Sequence, residues 1–228
     1  MFEFQTYLSD VKAKKLAIYL HGYNDSVQNC AAIAECFEKY LQNAVLVVPQ
    51  SPQKCDKNKN NMQWFGMLDV DAQNRRRNPE ISGEEIFNIY ENAGKSVSDC
   101  AKRINEFISQ MQTKFGIDDA HTYLIGFSQG AMLTVFTALS RKKQLAGAFC
   151  LSGMIAAKNV LEKEICAKPK VYLFHGEDDL KVQYKTLDIT ISWLQNHGIS
   201  PYIRRIKNLP HKVTEEEILQ VCRIINAD

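Results

Sequence analysis

Ser128 stands between two glycines in 121-HTYLIGFSQGAMLTVF-136, straight after one apolar run and straight before another. G-x-S-x-G between a strand and a helix makes a turn so tight that side chains at Gly126 and Gly130 would clash across it. The serine oxygen is left exposed at the tip. The helix that follows aims unpaired N–H groups and its positive dipole end at the same point. Such a turn prepares nucleophilic attack on a carbonyl, which needs a base to take the serine proton.

Five histidines could serve: His21, His121, His175, His197 and His211. Around a serine presented in this way the partners follow along the chain in the order serine, acid, histidine. His211 fits, because it comes after the strand-like PYIRRIKNLP and before the last helical pattern. His21 and His121 precede the serine. His197 lies at a helix C-terminus, where a cation suits the dipole, and His175 closes the run KVYLF as a loop-shaping residue. The acid is Asp178 or Asp179 in 175-HGEDDLKV-182. The residues alone leave both open, since a shift of one position re-aims the carboxylate, and either could instead cap the helix that begins at LKVQYKTL. An oxyanion would need two N–H donors. One is expected from Gln129, the residue after the nucleophile, and the other from Tyr23 in 20-LHGYND-25, the loop after an early strand.

The elements that must position these residues are visible as apolar runs. KKLAIYLHG (14–22), NAVLVVPQ (43–50), HTYLIGFS (121–128), LAGAFCLSG (145–153), KVYLFHGED (170–178) and PYIRRIKNLP (201–210) read as strands. Most are continuous rather than alternating, as in a parallel sheet covered on both faces. FEFQTY (2–7) alternates and suits an edge strand. Helical patterns lie between them at 26–42, 82–93, 96–115, from Gln129 to the RKK of 141–143, and at 185–198 and 213–226. Ser82 with Glu85, and Thr214 with Glu217, have capping-box spacing. Strands alternating with helices predict an α/β fold with a mostly parallel central sheet and helices on both faces. One domain over 1–228 is expected. Residues 53–82 read as a polar, irregular loop near the active site, a lid or pocket wall, and Arg75–Arg76–Arg77 within it as a solvated run.

The 228 residues are 45% hydrophobic and 24% charged, ordinary values for a chain with a sizeable core. A net charge of +2 argues against a nucleic-acid partner. Seven cysteines without a C-x-x-C pair exclude zinc-ribbon and redox spacings and predict core thiols in a reducing compartment. No leader pattern and no membrane-length apolar run is present, so a cytoplasmic chain with no integral membrane association is expected.

LHGYND, the Trp64–Phe65 pair, GFSQG, HGEDD and the late His211 together resemble the phospholipase/carboxylesterase family, which includes acyl-protein thioesterases and small bacterial carboxylesterases. The likeness runs from about residue 14 to 226, and GFSQG is its most specific part. It implies an α/β-hydrolase fold with no separate cap domain, Ser128 as nucleophile and His211 as base. The family's H-G-x-x-D-x-x-V fits His175, Gly176, Asp179 and Val182, which points to Asp179 as the acid. Trp64 and Phe65, with Met67 and Val182, are then expected along an apolar substrate groove. The implied substrates are esters or thioesters with medium to long acyl chains, such as small-molecule acyl esters, acylated proteins or lysophospholipids, with no cofactor and no metal. Three positions depart from the family's pattern: Asn24 stands for a glycine in the early loop, Pro210 for a glycine before the histidine, and Gly66 for an aspartate after W-F. Asparagine tolerates the left-handed conformation such a turn requires.

Two rival readings differ in outcome rather than in fold. A non-catalytic relative that binds a ligand would be expected to have lost a member of the set Ser128, Asp179 and His211, and none is missing. An acyltransferase would use the same set with an alcohol in place of water. An exposed apolar groove would also suit a homodimer.

Overall fold

The computed structural model describes residues 2–7 and 13–228. In chain order its elements are β1 (Phe4–Tyr7), β2 (Lys15–Leu20), α1 (Ala31–Tyr40), β3 (Ala44–Pro49), β4 (Gln53–Lys54), β5 (Met62–Gln63), α2 (Leu68–Asp71), α3 (Gly83–Glu91), α4 (Gly94–Phe115), β6 (Thr122–Phe127), α5 (Gln129–Ser140), β7 (Gly147–Leu151), α6 (Lys158–Glu164), β8 (Val171–Gly176), α7 (Thr186–Asn196), β9 (Tyr202–Ile206) and α8 (Glu215–Ala227). Seven strands form one sheet in the order β1-β3-β2-β6-β7-β8-β9. All neighbours run parallel except β1, which pairs antiparallel with β3 at one edge. The predicted α/β architecture with a mostly parallel sheet is the one observed.

The strands are continuous apolar runs because both faces are covered. Leu16, Ile18 and Leu20 of β2 and Val45 and Val47 of β3 face a core shared with α3 to α7. Ala17, Tyr19, Leu46 and Val48 point the other way, into a core closed by α1 and α8. The strand period of two thus divides one apolar run between two layers. Strand β9 is the far edge and is largely exposed; Arg204 and Arg205 interrupt its apolar residues, which disfavours edge-to-edge pairing.

Both predicted capping boxes are formed. Ser82 accepts from the Glu85 N–H and Thr214 from the Glu217 N–H, and each glutamate reaches back to the cap's N–H. The pattern at 26–42 becomes a short 3-10 turn (Gln28–Cys30) followed by α1, and α6 is a helix the apolar pattern does not announce. All seven cysteines are free thiols, and five of them are buried. Burial pushes Cys100, Cys150 and Cys222 up to about 12, so these thiols stay protonated. Among the described residues no helix is long and apolar enough to cross a membrane.

Candidate active site

Because β2, β6, β8 and β9 run parallel, the loops that leave them open on the same edge of the sheet. The turn after β6 has the expected strain: Ser128 adopts φ 55 and ψ −115, a conformation that costs about 1–3 kcal/mol for a non-glycine residue. It is held by the Ser128 N–H donating to Leu151 O at 3.0 Å and by Met132 N–H donating back to Ser128 O at 3.1 Å. A Cβ on Gly126 would lie 2.3 Å from Gly130 O, and one on Gly130 would lie 2.1 Å from Leu20 O. Glycine is required at both positions by close backbone approach.

The structure brings together Ser128, His211 and Asp179. His211 Nε2 is 3.0 Å from Ser128 Oγ and Nδ1 is 2.7 Å from Asp179 Oδ2. With Nδ1–H donated to the carboxylate, Nε2 is free to accept the serine proton. The other carboxylate oxygen of Asp179 accepts the backbone N–H groups of Lys181 at 2.9 Å and Val182 at 3.0 Å. Asp179 is buried, whereas Asp178 is exposed. The Asp178 N–H donates to Leu209 O at 3.1 Å and so ties the acid's turn to the histidine's loop. The His211 ring lies against Phe127 with centroids 4.7 Å apart. Pro210 therefore does not keep His211 from the serine.

His175 sits beneath this group. Its Nε2–H donates to Val182 O at 2.8 Å and lies 3.6 Å from Asp179 Oδ2. Burial lowers its pKa and keeps the ring neutral, as suits a residue that shapes the acid's turn. His121 pairs with Asp118 on the surface, and His197 ends α7, stacked on Trp193.

The loop after β2 faces the serine. His21 is fully buried; its Nδ1–H donates to Gly22 O at 2.8 Å and its Nε2 accepts the Ser51 N–H at 3.2 Å. Burial lowers its pKa too, and the two bonds hold one neutral tautomer. Asn24 has φ 60, the left-handed turn that glycine would otherwise supply. Asn24 and Asp25 donate their N–H groups to Met62 O, and Met62 N–H returns a bond to Asp25 O. Among the described residues, the backbone N–H groups of Tyr23 and Gln129 have no protein acceptor, and both residues line the cavity at Ser128. They are therefore available to an oxyanion.

That cavity has a volume of about 230 Å³, and Met67 and Val182 line it as expected. Trp64 and Phe65 do not, which corrects the expectation of a groove built on this pair. They are 1% and 0% exposed. Trp64 packs against Phe2 and His21 and donates Nε1–H to His21 O at 2.8 Å. Their backbone explains the inward turn. The Gln129 side chain accepts the Trp64 N–H at 2.9 Å and donates to Phe65 O at 2.8 Å. The pair thus braces Gln129 directly and, through His21, the loop that leads to Tyr23. This role of the Gln129 side chain is invisible in the sequence, where only its backbone N–H has a stated use.

Segment 53–82 is also more ordered than a plain loop, holding β4, β5, α2 and a 3-10 turn over Arg75–Arg77. Asp56 Oδ2 accepts the N–H groups of Met67 at 2.7 Å and Leu68 at 3.1 Å, and Oδ1 accepts Gln63 Nε2 at 3.0 Å. Burial alone would raise this carboxyl, yet these bonds outweigh it and hold the carboxyl below its usual range. The run Arg75–Arg76–Arg77 is not uniformly solvated. Arg76 is 5% exposed and pairs with Asp71 at 2.8 Å, because the Asp71 carboxylate caps the N–H groups of Arg75 and Arg76 at the same time. A wider depression of about 970 Å³ lies at the opposite edge of the sheet. Its main cation, Arg141, is held by Asp119, Asn105 and Gln112, and no nucleophile and base meet there. Among the described residues no group of three or more His, Cys, Asp or Glu could hold a metal ion.

Comparison with known proteins agrees with the family and the fold. A family model described as Phospholipase/Carboxylesterase matches residues 3–227. The carboxylesterase SOBER1 of Arabidopsis thaliana is 24% identical over 213 residues, covering 90% of this chain and 87% of that protein. Acyl-protein thioesterase 1 of Kluyveromyces lactis is 26% identical over 231 residues, covering 94% and 92%. The crystal structure of esterase PE8 superposes with a TM-score of 0.81 at 23% identity, over 99% of this chain and 97% of that one. It shares the fold.

Proposed function

From the premise that the chain belongs to the phospholipase/carboxylesterase family, in which its relatives are named carboxylesterases and acyl-protein thioesterases, we propose that it cleaves esters or thioesters through an acyl-enzyme on Ser128. The reading is carried by one observation: the hydrogen-bonded line Ser128–His211–Asp179 beside two unpaired N–H groups in one cavity. His211 takes the proton of Ser128 as its oxygen attacks the carbonyl. Asp179 holds the imidazole tautomer and stabilises the imidazolium. The N–H groups of Tyr23 and Gln129 bind the developing oxyanion, each worth about 3 kcal/mol of barrier. His211 then protonates the leaving alcohol or thiol. Water, deprotonated by His211, attacks the acyl-enzyme and releases the acid and Ser128.

Met67 and Val182 belong to the apolar part of the cavity wall, with Phe127 and Met132, and are assigned to the acyl chain. A series of 4-nitrophenyl esters of increasing chain length tests that assignment; kcat/KM independent of length would remove it. For the mechanism, a fluorophosphonate probe should label Ser128, and Ser128→Ala should lose both labelling and turnover of 4-nitrophenyl esters. Undiminished hydrolysis by the alanine variant would rule it out.

A further inference from the structure

The cavity at Ser128 is lined by four cationic residues, Lys57, Arg76, Arg77 and Lys181, against one carboxylate, Asp25. An adjoining space of about 210 Å³ shares Lys57, Arg76 and Arg77 with it and adds Asp56 and Asp71. Asp56 and Asp25 keep their charge but accept from neutral donors, Asp56 from Met67, Leu68 and Gln63 and Asp25 from the N–H of Ser26, while Asp71 is paired with Arg76 and two backbone N–H groups. Arg76 is thereby neutralised. Among the described residues no side-chain hydrogen bond or ion pair engages Lys57, Arg77 or Lys181.

The position of Arg77 is built rather than incidental. The buried Gln183 donates Nε2–H to the carbonyls on either side of it, Arg76 O at 2.7 Å and Asn78 O at 2.9 Å. Lys185 Nζ adds bonds to Pro79 O at 2.7 Å and Ile81 O at 2.8 Å. Gln183 follows Val182, whose N–H is held by Asp179. The loop that carries Arg77 is thus fastened to the turn that carries the acid, at a fixed place relative to the serine.

We propose that the substrate is an acyl ester or thioester bearing an anionic group, a carboxylate or phosphate, received by Arg77, Lys57 and Lys181 while Ser128 attacks the carbonyl. This rests on the hydrolase reading and narrows it. Free cations around a confined space favour an anion there, and a guanidinium matches the two oxygens of a carboxylate or phosphate. The neighbouring apolar surfaces of Met67, Leu68 and Val182 suit the rest of an amphiphilic acyl compound.

Two matched pairs test the proposal and locate the anion. On the acyl side, the 4-nitrophenyl monoester of adipic acid is compared with its neutral carboxamide isostere. On the leaving-group side, 4-carboxyphenyl butyrate is compared with 4-carbamoylphenyl butyrate. The wild type should favour the charged member of at least one pair by about tenfold in kcat/KM, about 1.4 kcal/mol. The triple variant Lys57→Gln, Arg77→Gln, Lys181→Gln should bring that ratio near one, and Arg77→Lys should retain more of it than Arg77→Gln. Salt should erode the preference. Equal rates within both pairs, or a ratio unchanged in the triple variant, overturn the proposal and leave the hydrolase reading standing. Adipate binding to Ser128→Ala, followed by NMR titration, needs no turnover. It should weaken about tenfold on adding the three substitutions, and unaltered binding overturns the proposal even where hydrolysis itself is absent.

Discussion

Replacing Asp179 by asparagine is the sharpest probe of the proposed machinery, because the surrounding donors dictate how the amide must sit. Asp179 Oδ1 accepts two backbone N–H groups, at 2.9 and 3.0 Å, and Oδ2 accepts Nδ1–H of His211 at 2.7 Å. An asparagine can present its oxygen to one side only. Turning the NH₂ toward Lys181 and Val182 would set donor against two backbone donors, at about 1–3 kcal/mol for the buried one at Val182 and less for the partly exposed one at Lys181. Facing His211 instead sacrifices a single bond. The oxygen therefore stays with the backbone and the NH₂ meets Nδ1. The imidazole answers by placing its proton on Nε2, where it points at Ser128 Oγ and cannot accept. A wrong tautomer of this kind lowers kcat roughly 10⁴-fold, about 5.4 kcal/mol of barrier. The two backbone bonds survive, so the melting temperature should stay within about 4 °C of wild type. The assay is kcat/KM on 4-nitrophenyl butyrate beside a thermal melt. A folded variant that keeps more than a tenth of wild-type kcat/KM would refute the assignment of Asp179 to the relay.

Three further outcomes follow from other contacts. Gly130→Ala drives a Cβ to 2.1 Å from Leu20 O; it should cost at least about 3 kcal/mol, or about 6–12 °C in a thermal melt, and an unchanged melt would contradict the close approach. Gln129→Ala retains the backbone N–H but strands the Trp64 N–H and Phe65 O, about 1–3 kcal/mol each; urea unfolding should show the loss, and hydrogen exchange should show faster opening of the Trp64 amide. Glu217 has one unpartnered buried oxygen, and burial raises its carboxyl above the ordinary 4.5. The folded state therefore holds that proton more tightly than the unfolded state, and stability falls as pH rises from 4.5 through the raised value. Glu217→Gln keeps the capping box without the charge, so its melting temperature minus that of wild type should grow from pH 4 to pH 7; a constant difference would argue against a buried charge.

Whatever rests on neighbours along the chain is legible before folding. The two glycines around Ser128 answer to clashes within a single turn. The capping boxes of α3 and α8 need residues three apart. The apolar runs encode a sheet buried on both faces, and strands running parallel put the loops that carry Ser128, the acid and His211 at one edge. Where a side chain points once a strand has ended depends on the packed fold. The residues after β8 leave Asp178 and Asp179 open, and only the family resemblance prefers the second. The choice is physical in the fold, where two backbone N–H groups and His211 converge on Asp179 and its neighbour faces water. Trp64 and Phe65 turn inward because the Gln129 side chain, more than sixty residues away, holds their backbone. Of three consecutive arginines one is buried against Asp71, and another stands free at the cavity between two anchored carbonyls. Hydrogen bonds between distant loops set these directions, and no local spacing records which loops will meet.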